Sequence, residues 1–152
     1  MPEPCGICRR LERFTPDEPH VIAELDTGYA VLGDNQIYPG YTIFVAKRCV
    51  AELHLLPPDE RATFLLEMAQ VAEAVFRAFA PRKLNYELLG NSEAHLHWHL
   101  FPRYADDPNP RWPVWNNEAF MQASPNTAVD TERLRDLRER AREALTDVRR
   151  QS

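Results

Sequence analysis

Residues 95–101 read His-Leu-His-Trp-His-Leu-Phe, an alternation of histidine with apolar side chains. Nothing else in the chain narrows its fold as much. A period of two is the period of an extended strand, whose successive side chains point to opposite faces. On such a strand His95, His97 and His99 share one face, while Leu96, Trp98 and Leu100 share the other. The apolar face needs a second layer to cover it, and a helix supplies one. The other face presents a row of imidazoles. The segment therefore asks for a sheet with a helix packed on one side.

The remainder of the chain provides those parts. "HVIAEL" and "GYAVLG", between residues 20 and 33, read as short strands, and "YTIFVA" over 41–46 as a third. "GDNQIYPG" between them is a polar connection closed by Pro39-Gly40. The clearest helix lies within 55–81. Pro57 and Pro58 precede its start, Asp59 and Glu60 occupy its first turn, and Pro81 stops it. Phe64, Met68, Val71, Val75 and Phe79 form one apolar stripe along it. Such a stripe is core packing, the ordinary use of an amphipathic helix. "KLNYELLG" over 83–90 is a strand, Gly90 to Ala94 a turn, and the histidine segment the next strand. Pro102 to Pro125 reads as irregular, and a charged helix over Asp130–Arg149 closes the chain with a solvated face of Arg and Glu. The predicted class is α+β: an antiparallel sheet of about five strands with one long helix and a C-terminal helix. One domain is expected over 1–125, with 126–152 a charged helix packed on it or extending from it.

Charge and length exclude several functions. At 152 residues the chain suffices for one core, and its net charge of −5 offers no basic surface for nucleic acid or anionic lipid. Small phosphates remain possible ligands, since a few amides and polar groups hold them locally. No apolar run approaches the roughly 20 residues of a membrane span, and residues 1–14 lack the apolar stretch of a secretory signal. A cytoplasmic location is expected. Three cysteines are too few for a disulfide framework, and reduced thiols favour metal or redox work.

Two clusters carry chemistry. The histidines admit three readings from their pattern alone: surface residues of a half-polar strand, a metal site, or catalysis by a neutral imidazole serving as nucleophile or base. Cys5-Gly6-Ile7-Cys8 is compatible with zinc, a redox dithiol or neither, and no βαβ context supports the redox reading.

The residues His95-Leu96-His97-Trp98-His99-Leu100-Phe101 resemble the His-φ-His-φ-His-φ-φ signature of the histidine-triad family of nucleotide hydrolases and transferases. "GYAVLGDNQIYPGYTIFVAKR" is similar to that family's first strands, and "HWHLFPRYADDPNP" resembles its diadenosine-polyphosphate-hydrolase branch. The resemblance covers residues 5 to 115. It implies that His97 attacks an α-phosphate and forms a nucleotidyl-histidine. His99 would assist the leaving group, and His95 would fix the geometry. Asn91 and Ser92 stand where relatives carry phosphate-contacting Gln-Ser or Gln-Thr. Asp34, with Asn35 beside it, stands at the acidic ribose-binding position. Tyr41 replaces a histidine that supports the triad in several relatives, and a tyrosine can still donate a hydrogen bond.

The resemblance also implies a structural zinc. Zinc-binding relatives pair a Cys-x-x-Cys with the first triad histidine and a histidine after the Lys-Arg segment. Here that segment reads "AKRCVAEL" and the position is Cys49, giving Cys5, Cys8, Cys49 and His95 as a Cys3His set. His54 is a rival ligand position but reads as a loop residue, and His20 as incidental. The expected substrate is a dinucleoside polyphosphate such as diadenosine tetraphosphate, accompanied by a divalent cation, and the expected assembly is a homodimer joined sheet edge to sheet edge. Phosphoramidate hydrolysis or nucleotidyl transfer would use the same nucleophile. A zinc-stabilised nucleotide-binding module without turnover is the alternative of another class. Trp112 and Trp115 suit base stacking, a dimer contact or a core cap equally.

Overall fold

A computed structural model describes residues 5–123 and 129–152. The boundary expected at 125/126 lies outside the described residues. Five antiparallel strands form one sheet in the order β1-β2-β3-β5-β4: β1 Val21–Glu24, β2 Gly28–Leu32, β3 Thr42–Ala46, β4 Lys83–Glu87 and β5 His97–Arg103. Among the described residues four α-helices accompany it: α1 Gly6–Leu11, α2 Pro58–Phe79, α3 Glu118–Gln122 and α4 Thr131–Arg150. The α+β class, the five strands and the two long helices are as the sequence predicts.

Register decides which side chains reach which layer. β3 pairs with β5 so that Phe44 lies opposite Trp98, Ile43 opposite His99 and Val45 opposite His97. Phe44, Leu100, Ala30 and Leu32 point to the helical side and enter the main core with Phe64, Val71, Val75 and Phe79 of α2. Four members of the predicted stripe are buried, and Met68 is packed against them half-buried. Gly40 adopts φ +89 where a Cβ would collide with the Phe79 ring at 2.4 Å, so only glycine lets β3 start this close to α2. Helix α4 adds Leu134, Leu137, Ala141, Leu145 and Val148 to the same core. Its Asp130 accepts from the Glu132 amide as N-cap.

Three features differ from the expectations. The arginines of α4 are not all solvated: Arg142 donates to the carbonyls of Val21, Ile22 and Pro16, blocking the β1 edge. The 33–40 connection is packed, with buried Gln36 bonding Gly33 O, Tyr41 O and the Gly40 amide. The stretch after 101 is more ordered than irregular sequence. β5 continues through Pro102 to Arg103, which is possible because pairing with β3 has ended at Leu100. α3 then forms on an Asn117 N-cap. With Tyr38, Tyr41, Phe101 and Val114, its Phe120 makes a second, aromatic core on the face opposite α2.

Candidate functional site

The histidine segment divides at the start of β5. His97 and His99 lie on the strand and face away from α2, beside Val45 and Ile43 of β3. His95 precedes the strand, and the predicted strand loses its first two residues. Leu96 is instead bound to the end of β3 and the chain beyond it, its carbonyl accepting from Ala46 N at 3.0 Å and its amide donating to Val50 O at 2.8 Å. This detour turns the His95 ring out of line with the other two.

The ring contacts run in one direction. Burial is the main influence that pushes the Tyr41 phenol up, so it remains protonated, and its hydroxyl lies 2.6 Å from His99 Nδ1. A protonated phenol can donate or accept, and the 3.1 Å contact between His99 Nε2 and His97 Nε2 decides the direction: His97 carries no hydrogen on Nε2, so His99 carries its own there and its Nδ1 accepts from the phenol. His97 Nδ1 is 2.6 Å from the His95 carbonyl, which can only accept, so a neutral His97 keeps its lone pair on Nε2. Burial, then the neighbouring His97, depresses His99 to about 4. At neutral pH it is an uncharged donor. Around it stand Phe101, stacked at 5.8 Å between centroids, and Trp115, edge-on at 5.6 Å. The Trp115 indole N–H donates to Glu87, so this tryptophan closes the aromatic core, while Trp112 is exposed.

His95 belongs to a different group of side chains. Its Nε2 donates to Ala46 O at 2.7 Å, leaving the Nδ1 lone pair 3.5 Å from both Cys5 Sγ and Cys8 Sγ. Cys49 completes the group, and all four candidate ligand atoms lie within 4.8 Å of one another. A tetrahedral zinc with bonds of 2.0–2.3 Å spaces its ligands by about 3.5 Å, so the donor set and its geometry fit that ion. A histidine ligand oriented through its other nitrogen by a carbonyl is the usual supporting arrangement. Burial, with Cys49 and Cys5 beside it, pushes the Cys8 thiol up to about 12. Crowded thiols resist ionising together unless a cation joins them. The four cysteine and histidine positions named from the sequence therefore meet and could bind zinc. His54 is not among them.

Beside His97 opens a cleft of about 330 Å3, floored by Val31, Ile43 and Val45 and walled by Ile7, Arg10 and Phe14 of the N-terminal arm. Glu93 borders it from the loop before His95. Asp34, after β2, is gripped by Arg10, Nη1 to Oδ2 at 2.9 Å and Nη2 to Oδ1 at 2.5 Å. Asn35 is engaged within the fold, accepting from the Ile37 amide and donating to Phe120 O. Asn91 and Ser92 are exposed on the loop after Gly90, whose φ of +69 makes the predicted tight turn. Arg103, the arginine after Pro102, is buried away from the cleft, paired with Asp107 and bonded to Asn85 and Asn109 O.

Sequence reasoning missed the placement of α1. Arg10 and Phe14 carry no motif, and nothing local announces that Arg10 will meet a carboxylate 24 residues away. The only signal was proximity to Cys8: whatever anchors that cysteine brings its neighbours to the sheet.

The HIT domain pattern matches residues 16–106. No curated protein matches the chain. It is similar to a solved histidine triad (HIT) protein from Sinorhizobium meliloti, at 29% identity and a TM-score of 0.73, covering 89% of this chain and 93% of that one. A histidine triad protein from Bradyrhizobium japonicum matches at 25% identity and TM-score 0.73, covering 90% and 94% respectively. A Zn-bound histidine triad family protein from Mycobacterium smegmatis, at 18% identity and TM-score 0.66 over 97% of each chain, shares the fold.

Proposed function

Because this chain belongs to the HIT domain family, whose members are mostly nucleotide hydrolases and transferases, we propose that it hydrolyses a dinucleoside polyphosphate at its α-phosphate through a nucleotidyl-His97 intermediate. The observation that carries this reading is the 2.6 Å contact from His97 Nδ1 to the His95 carbonyl. It leaves the lone pair of the neutral ring on Nε2, where His99 Nε2–H rests at 3.1 Å, and His97 lines the cleft.

His97 Nε2 attacks phosphorus, and the bond to the bridging oxygen breaks as the nucleoside polyphosphate departs. Water then attacks the same phosphorus, releasing the nucleoside monophosphate and restoring the imidazole. Dividing one displacement into two gives each step a competent leaving group. His99, neutral because of its burial, donates a hydrogen bond through Nε2–H to the bridging oxygen and transfers no proton. That suits a polyphosphate, which leaves as a stable anion, better than an amine, which must be protonated to leave. Tyr41 keeps His99 in the donating tautomer.

Asp34 accepts from the ribose hydroxyls, with Asn35 holding the backbone of its loop. Asn91 and Ser92, on the loop that also carries Glu93 to the cleft, contact phosphate. A divalent cation accompanies the polyphosphate as part of the substrate. Cys5, Cys8, Cys49 and His95 hold a structural zinc that pins α1 to the sheet. The protein is a homodimer joined at the β4 edge, which carries exposed Tyr86, whereas the β1 edge is blocked by Arg142.

The deciding experiment is product analysis of diadenosine tetraphosphate incubated with wild type and with His97→Ala. AMP and ATP from the wild type alone support the reading. No turnover by the wild type rejects the dinucleotide substrate, and equal turnover by both proteins rejects His97 as nucleophile.

A further inference from the structure

Helix α1 lacks what normally holds a helix in place. It has six residues, none of them fully buried, with Ile7 and Leu11 only half-covered, so apolar packing holds it weakly. Two polar attachments add to that hold. At its start Cys5 and Cys8 approach His95, and near its end Arg10 makes the two-pronged contact with Asp34. Beyond the helix, Phe14 packs edge-on against Tyr29 at 5.4 Å. Between these points Ile7, Arg10 and Phe14 form the wall of the cleft beside His97, and Arg10 is the only Lys or Arg among its lining residues.

The Arg10–Asp34 pair is solvent-exposed, with 43% and 36% of the two side chains accessible. Pairs so exposed contribute little to stability, so its geometry calls for another use. A guanidinium fork fixes the plane of a carboxylate. Each carboxylate oxygen carries two lone pairs, and Arg10 takes one from each, leaving an acceptor site on both. His20 Nε2 stands 3.6 Å from Asp34 Oδ1, beyond hydrogen-bond distance, and Glu18 holds the His20 ring through Nδ1 at 3.2 Å. Asp34 is thus aimed without being consumed.

We propose that Arg10 is a positioning residue for the nucleoside half of the substrate: its grip on Asp34 aims that carboxylate and draws α1 across the cleft, setting nucleotide affinity independently of the phosphoryl step at His97. This inference rests on the nucleotide reading given above and adds to it a residue outside the histidine segment. Lysine keeps the charge but not the fork, so it can restore only part of the effect.

The test measures AMP binding by calorimetry, and kcat and KM for diadenosine tetraphosphate, in wild type, Arg10→Ala, Arg10→Lys, Asp34→Asn and the double variant Arg10→Ala/Asp34→Asn. For Arg10→Ala, Kd and KM rise roughly tenfold with kcat within about twofold, the scale of one charge-assisted contact. Arg10→Lys falls between Arg10→Ala and wild type, and the double variant is little worse than Asp34→Asn, because both substitutions break one pair. Undiminished AMP binding in Arg10→Ala overturns this inference alone, as does a fall in kcat at constant KM or full additivity in the double variant. Wild-type protein that binds no AMP overturns the nucleotide reading and this inference together. Thermal melts of each variant show whether the fold is retained.

Discussion

His95 and His99 are the same residue, four positions apart in one alternating segment, and the fold sets them to opposite tasks. His95 sits just before β5, only 2% exposed, with Nε2 on a backbone carbonyl and Nδ1 aimed at two thiols. His99 sits on β5 inside an aromatic enclosure, with Nδ1 on a phenol and Nε2 toward His97. One ring exposes a lone pair to sulfur and suits a cation; the other exposes an N–H and suits an oxyanion. Between them His97 keeps a lone pair at the cleft because the His95 carbonyl takes its only hydrogen. The partner of the remote nitrogen decides what an imidazole can do at the near one. Sequence spacing does not display that partner.

The sharpest way to break the comparison is to remove the middle ring. His97→Ala is expected to lower turnover by on the order of 10⁴-fold or more, the usual cost of a missing nucleophile, with zinc content and melting temperature near wild type. Burst-phase kinetics and metal analysis check both halves. A variant that loses zinc as well as turnover would show that the two ends are not separate.

At the other end, Cys8→Ala is expected to abolish zinc binding and to cost several kcal/mol of stability, because metal-binding free energy is folding free energy at such sites. Metal content per chain and denaturant melts read this directly. Unchanged stability after complete metal loss would assign the cluster no structural role.

Acid provides a third contrast. His99 is held at about 4 in the folded protein, against about 6.5 in an unfolded chain. Below about 6.5 the unfolded state takes the proton first, so stability present above that pH is lost as pH falls toward 4. The loss should reach a few kcal/mol at most. It is checked by urea unfolding at pH 7.5 and 4.5, where His99→Gln should lose less than wild type. Equal losses in both proteins would place the acid sensitivity elsewhere.

The smallest effect is expected from the phenol. Tyr41→Phe removes the donor to His99 Nδ1 and frees the ring to exchange tautomers. Turnover should fall roughly tenfold, the value of one buried hydrogen bond, and Tyr41→His should recover part of it. The ¹⁵N shifts of His99 should move from an Nε2–H pattern toward a mixture. An unmoved pattern would show that Trp115 and Phe101 alone orient the ring.

Much of the fold was legible because its signals are local. The stripe of α2, the alternation of β5 and the apolar runs of β1 to β3 each announce an element through a period set by backbone geometry. Short elements escaped. α1 and α3, of six and five residues, are too brief for periodicity to register. α3 is nonetheless marked by Asn117, whose side chain caps it. Arg142 read as solvated because its partners are the carbonyls of β1, which every residue possesses and no sequence distinguishes. The start of β5 was misplaced for a similar reason: the Leu96 carbonyl bonds to Ala46 at the end of β3, but its amide goes to Val50 in the loop beyond.

By itself the sequence determined the α+β class and the opposite faces taken by His97 and His99 on one side and Trp98 and Leu100 on the other, since period is written along the chain; the residues that meet in the thiol–imidazole cluster were named through the resemblance to the histidine-triad family, which spacing alone would not have supplied. Only the tertiary structure decided which nitrogen of each histidine is free, that Arg10 grips Asp34 beside the cleft, and that Arg142 closes one edge of the sheet. Those outcomes depend on groups brought together from 24, 58, 90 and 120 residues apart. Chain closure over such separations is settled by packing of the whole core, and side-chain partners are chosen only after that packing is complete.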